Sequence, residues 1–107
     1  MTNVRLKEPK NREEVLSALE RAAKDFDYLI HKSDRTHKEI QLGSVKRLEV
    51  LDSTDITIAN GRGPLFTSYV PTNNSYGKIG SFMIDYFSGC SDEIVDPFLS
   101  RFSEYLR

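Results

Sequence analysis

Between residues 39 and 89 the chain is cut into short alternating runs, and the gaps between them are only a few residues long. Ile40 and Leu42 alternate with Glu39 and Gln41, and Gly43-Ser44 reads as a tight hairpin turn. In the next run, Val45 to Leu51, Leu48 and Val50 alternate with Arg47 and Glu49. Asp52 to Asp55 reads as a second turn, and Ile56 and Ile58 mark a third strand. Asn60-Gly61-Arg62-Gly63-Pro64 is a break, and Leu65 to Val70 is a fourth strand stopped by Pro71. A parallel crossover needs a dozen or more residues. No gap here supplies them, so the sheet is expected to be an antiparallel meander.

The most apolar run is Gly77 to Gly89, bounded by Asn73-Asn74-Ser75-Tyr76 before it. A short aromatic and branched run between turn residues reads as a strand. Phe82, Ile84 and Tyr86 fall on one side, and Ile79, Met83 and Phe87 on the other. Large apolar groups on both faces place this strand inside the sheet. Its second row is then expected to lie partly exposed, which is a common mark of a partner surface.

Helices flank the meander. Asn11 stands three residues before Glu14, as in a capping box. Val15, Leu19, Ala22 and Phe26 follow at helical spacing, with Leu16 and Ala23 widening the stripe, so a helix is predicted over 12–27, with Tyr28 to Ile30 extending it by a turn. At the other end Asp96 before Pro97 reads as an N-cap and first helical residue. Phe98, Leu99, Phe102, Tyr105 and Leu106 form the stripe. A start at Ser91 would put Pro97 inside the helix. Residues 1–10, with Val4 and Leu6 alternating, read as a short edge strand or a loose arm. His31 to Lys38 has no apolar residue and reads as an exposed connection. The expected fold is one α+β domain over 1–107: an N-terminal helix, an antiparallel meander of four to five strands and a C-terminal helix, in two layers.

A chain of 107 residues with 38% hydrophobic and 29% charged residues can bury a core without a disulfide or a metal. The net charge of −1 gives no global attraction to nucleic acid or anionic membrane. Residues 1–50 hold eleven Lys/Arg against nine Asp/Glu, and residues 51–107 hold four against seven. One cysteine, Cys90, makes no internal disulfide and points to a reducing compartment. The first ten residues lack the apolar segment of a signal peptide. A cytoplasmic protein is expected, and no membrane partner.

Catalytic signals are weak. His31 and His37 lie six apart in a polar stretch, unlike a helical metal pair, and read as solvated. Cys90 reads as a small core residue rather than a nucleophile. Asp52, Asp55 and Asp85 read as backbone caps or surface groups. No phosphate-loop lysine or glycine-framed serine occurs. Neither an enzyme, a cofactor nor a metal site is expected.

Two binding readings remain. Tyr69, Tyr76 and Phe66 are aromatic residues at strand ends and loops, and Arg62 stands between two glycines. Such residues are enriched in protein interfaces. They point to a small binding protein of inhibitor, immunity, chaperone or adaptor type, with another protein or a second copy of the chain as partner. The alternative is a phosphate or nucleic-acid binder using residues 31–47. Lys32, Arg35, Lys38, Lys46 and Arg47 give that stretch a net charge of +3. The order of helix, strands and helix resembles that of double-stranded-RNA-binding modules. The closing helix departs from that pattern, since its charges are Arg101, Glu104 and Arg107 with no lysine cluster at its start.

Overall fold

The computed structural model of the protein describes residues 1–41, 43, 46–72 and 77–107. Seven elements follow in order: β1 (Thr2–Asn11), α1 (Arg12–Asp25), β2 (Leu29–Gln41), β3 (Lys46–Asn60), β4 (Gly63–Pro71), β5 (Lys78–Tyr86) and α2 (Asp92–Tyr105). The five strands form one antiparallel sheet in the order β1-β5-β4-β3-β2. The fold is α+β. It opens on an edge strand, one of the two readings of residues 1–10, ahead of the helix that the expected fold began with. β1 lies at the edge beside β5, with Thr2 opposite Ile84 and Val4 opposite Phe82.

Helix α1 begins where the sequence placed it. The Asn11 side chain accepts from the Glu14 backbone N–H at 2.9 Å and donates to the Glu14 carboxylate at 2.7 Å, closing the capping box. The helix ends at Asp25, two residues short of the predicted end, and Tyr28 to Ile30 do not extend it. Asp27 takes a left-handed backbone (φ 56°), and the Tyr28 N–H bonds the Ala23 carbonyl at 2.9 Å. That is a Schellman closure with Asp27 in the usual glycine position. It turns the chain straight into β2.

Helix α2 starts at Asp92, a turn earlier than the Asp96-Pro97 cap. Val95, Phe98 and Phe102 are its buried residues, at spacings of three and four. The extra turn brings Val95 into the core, and that burial outweighs the backbone bond lost at Pro97. Tyr86 donates to Asp92 at 2.7 Å and so ties β5 to the start of α2. Burial and that hydrogen bond push the Tyr86 hydroxyl up to about 12.

The core is a single cluster. Phe98 meets Phe66 edge-on at 5.1 Å between centroids, and Phe102 meets Phe82 likewise at 5.5 Å. From α1, Arg12 bonds Thr54, and Glu20 pairs with Lys32 of β2. Val15, Leu19, Ile56, Phe66, Ile84 and Phe98 have no exposed surface, and Phe82 and Phe102 are nearly as closed. The helices are tied to each other by Asp25, which accepts from Tyr105 and lies 3.6 Å from Arg101.

Two expected breaks are continuous strand. His31 to Lys38 pairs residue by residue with β3, and it belongs to β2. Asp52 to Asp55 is not a turn. Asp52 is an extra residue opposite the Arg35–Thr36 step, a bulge within β3. Ile79 also departs from the alternation. It is 3% exposed and joins the core, because β1 and β5 change register between Arg5 and Lys10.

Candidate functional site

Side chains alternate across a strand, and the register sorts them. Phe66, Ser68 and Val70 of β4 share the side that meets the helices, and Phe66 packs on Phe98. Thr67 and Tyr69 therefore point the other way. On that side Asp55, Tyr69 and Met83 stand in a row across β3, β4 and β5, and Thr57, Thr67 and Asp85 in the next. Arg35 and Ser53 are opposite one another on β2 and β3.

These groups form a cluster around Asp55. Arg35 donates to Asp55 Oδ2 at 3.0 Å, and Ser53 donates to Asp55 Oδ1 at 2.8 Å. The Arg35 guanidinium lies 5.3 Å from the Tyr69 ring centroid, within cation–π range. Thr57 and Thr67 share a hydrogen bond at 3.0 Å. Tyr69 and Met83 are half-buried. The face thus offers an aromatic ring and a thioether beside an oriented ion pair.

Past this cluster, β2 and β3 run on without β4. Strand β4 ends with Pro71 opposite Ser53, and the Thr72 N–H bonds the Asp52 carbonyl at 3.0 Å. Beyond it six residue pairs, from Thr36–Leu51 to Gln41–Lys46, continue as a two-stranded arm. The molecule is accordingly long, 51 × 30 × 22 Å. Ile40 is 65% exposed and Leu48 is 40% exposed on this arm. At its base His37 lies between two carboxylates, with Nδ1 2.6 Å from Asp52 and Nε2 2.9 Å from Glu39. Hydrogen bonding to Glu39 and then Asp52 raises the His37 pKa above its ordinary value. Thr36 donates to Glu49 at 2.8 Å.

The residues singled out from the sequence separate. Phe66 is a core residue with no exposed surface, which corrects its reading as a contact residue. Its position in β4 has the helix-facing parity. Tyr69 is on the face opposite to Phe66. Arg62 is exposed in the β3–β4 turn, where its N–H bonds Asn60 Oδ1 at 2.8 Å. Along β4 that turn is roughly 20 Å from Tyr69 at the usual strand rise, so the two do not share a site. Tyr76 lies outside the described residues.

The described cations of residues 31–47 divide between the two faces of the ribbon. Lys32 faces α1 and pairs with Glu20. Arg35 faces the opposite way and pairs with Asp55. Lys38 stands opposite Glu49, and Arg47 opposite Ile40. Lys46 closes the described part of the arm opposite Gln41. Acidic neighbours thus interleave with the cations, on two faces of the ribbon.

Cys90 is half-buried, and burial pushes its thiol above the ordinary value, away from an activated thiolate. Among the described residues no group of three or more His, Cys, Asp or Glu gathers in metal-holding geometry, and no helix is long and apolar enough to cross a membrane. The Arg35–Asp55–Tyr69 cluster was not foreseen. Its only sequence signal was the polar alternation Ser53, Asp55, Thr57 along β3. Comparison with family models, with curated proteins and with solved structures found no match.

Proposed function

We propose that this is a protein-binding domain of the inhibitor or adaptor kind, contacting its partner through the helix-free sheet face and the β2–β3 arm. In this reading α1 and α2 form one layer, the sheet forms the other, and the partner takes the place of a third. The observation that carries it is Tyr69. Its ring is half-buried on the sheet face opposite to Phe66, beside the Arg35–Asp55 pair. A rigid aromatic ring next to an oriented guanidinium is the composition of an interface centre. The exposed Leu48, opposite Glu39, extends apolar surface along the same face of the arm, while Ile40 is on the other face. The single Cys90 supports a cytoplasmic setting.

The partner is read as another protein, with a second copy of the chain as the alternative. The alternative reading is an anion site at residues 31–47; that Lys32 and Arg35 already hold carboxylates favours the protein reading. The test is affinity capture from native lysate with the full chain and, in parallel, Tyr69→Ala. A partner that is held by the wild type, lost by Tyr69→Ala and reproduced with purified components supports the reading. Equal capture by both chains overturns it. Light scattering on the eluted chain separates a homodimer from a heteromeric complex.

A further inference from the structure

A cleft lies between β1 and the last turn of α2. It encloses about 350 Å³, and its wall is mainly apolar atoms, within the size range of small-molecule sites. It exists because β1 bows away from its neighbour. Arg5 pairs with Ser81 and Lys10 with Ile79, so residues 6–9 stand opposite Gly80 alone. The bow carries Leu6 and Lys7 towards the end of α2.

The lining has two parts. Leu6 and Leu106, both packed against the core, give an apolar floor. Arg5, Lys7, Lys10 and Arg107 surround it, against one acidic side chain, Glu8. This is a local excess of cations in a chain of net charge −1. Among the described residues Arg5, Lys7 and Arg107 form no ion pair, and Lys10 reaches only Glu8, at 4.0 Å. The Lys10 side chain is nevertheless only 23% exposed. The stem of Lys10 is thus largely packed, and its ammonium, with so distant a partner, has room for a closer acceptor. A second cavity, of about 400 Å³, shares Lys10, Leu106 and Arg107 and brings Glu13, Glu14 and Arg21 to their other side.

From this geometry we infer that the cleft binds a small amphipathic anion, a carboxylate or phosphate monoester on an apolar chain. The head group sits on Lys10, with Arg5 and Lys7 at the mouth, and the chain lies on Leu6 and Leu106. The same cations could instead serve only to offset the negative end of α2, whose last turn carries no basic residue. That use predicts a stability change on neutralising them and no ligand effect.

The experiment titrates the full chain with octyl phosphate below its micelle concentration, by calorimetry and amide chemical shift. Inorganic phosphate, octanol and anionic phospholipid vesicles are the comparison probes. Saturable binding of octyl phosphate is expected, with shifts at Leu6, Lys7 and Leu106 and about tenfold or more weaker binding of phosphate or octanol alone. Arg5→Gln with Lys7→Gln changes two exposed side chains and leaves the fold intact by circular dichroism. It should weaken octyl phosphate by about tenfold or more, and Lys10→Gln should do the same. No saturable binding, phosphate binding as tightly as octyl phosphate, or affinity unchanged in the Arg5/Lys7 variant would each overturn the inference. So would vesicle binding without binding of the monomeric probe.

Discussion

Arg35 and Tyr69 stand on strands that do not touch, with β3 between them, yet the guanidinium reaches to 5.3 Å from the ring centroid. Asp55, on the intervening strand, fixes the reach by holding the guanidinium at 3.0 Å. The Arg35 side chain is 62% exposed, so the contribution of its contacts to folding is small. Tyr69→Ala is expected to cost the folded chain only about 1 kcal/mol in denaturant melts, well below a core truncation. Against the captured partner it is expected to cost about 2 kcal/mol or more, as a buried anchor does. A loss confined to stability, with affinity unchanged, would remove Tyr69 from the interface.

Arg35→Gln separates charge from packing at the same place. It leaves the Tyr69 ring but removes the cation that Asp55 holds. The association rate with the partner is expected to fall and to lose part of its salt dependence. Stopped-flow rates at two ionic strengths read this directly. An unchanged rate and salt slope would show that the partner does not meet this charge.

Phe66 gives the opposite pattern. It is fully buried against Phe98, and Phe66→Ala is expected to destabilise by about 3–5 kcal/mol. Phe82→Ala, which removes the contact to Phe102, should fall in the same range of about 3–5 kcal/mol. Loss of less than about 1 kcal/mol at either position, measured by urea melts, would contradict the packing described.

His37 makes the arm sensitive to pH. Two carboxylates favour the imidazolium, so the folded pKa lies above 6.5. The stabilisation is therefore fully present below the ordinary value and is lost as pH rises through the raised one. An imidazole titration by NMR should show a midpoint above 6.5, and the midpoint should drop in Glu39→Gln. Amide exchange in the arm, corrected for its intrinsic pH dependence, should quicken over the same interval. A wild-type midpoint at or below the ordinary value would mean that the carboxylates do not hold the ring.

Much of the architecture was legible because it leaves periodic traces. The stripe from Val15 to Ala23 and the alternation around Ile56 and Ile84 are direct records of one buried side. What failed to show has a common physical cause. Residues 31–40 are all exposed, so neither face carried an apolar row, and a strand held only by backbone pairing looked like a loop. The Asp52 bulge broke the alternation and mimicked a turn. Asp27 closed α1 without a glycine. At the site, Tyr69 and Phe66 are three residues apart in one strand, and composition alone could not tell which faces the core. The Arg35–Asp55 contact joins residues from two strands and depends on register. The cations of the β1–α2 cleft are spread from residue 5 to residue 107, so no sequence window contains them.

The pairing of β1 with β5 has a kinetic consequence. Thr2 and Ile84 are partners roughly eighty residues apart, whereas β2 through β5 join neighbours in sequence. Closing so long a loop is entropically expensive and is rewarded only when the rest of the sheet already stands. The four-strand meander is therefore expected to form before β1 arrives, leaving the outer edge of β5 until then an open template for any extended chain. In that order β1 is the last strand to be laid down.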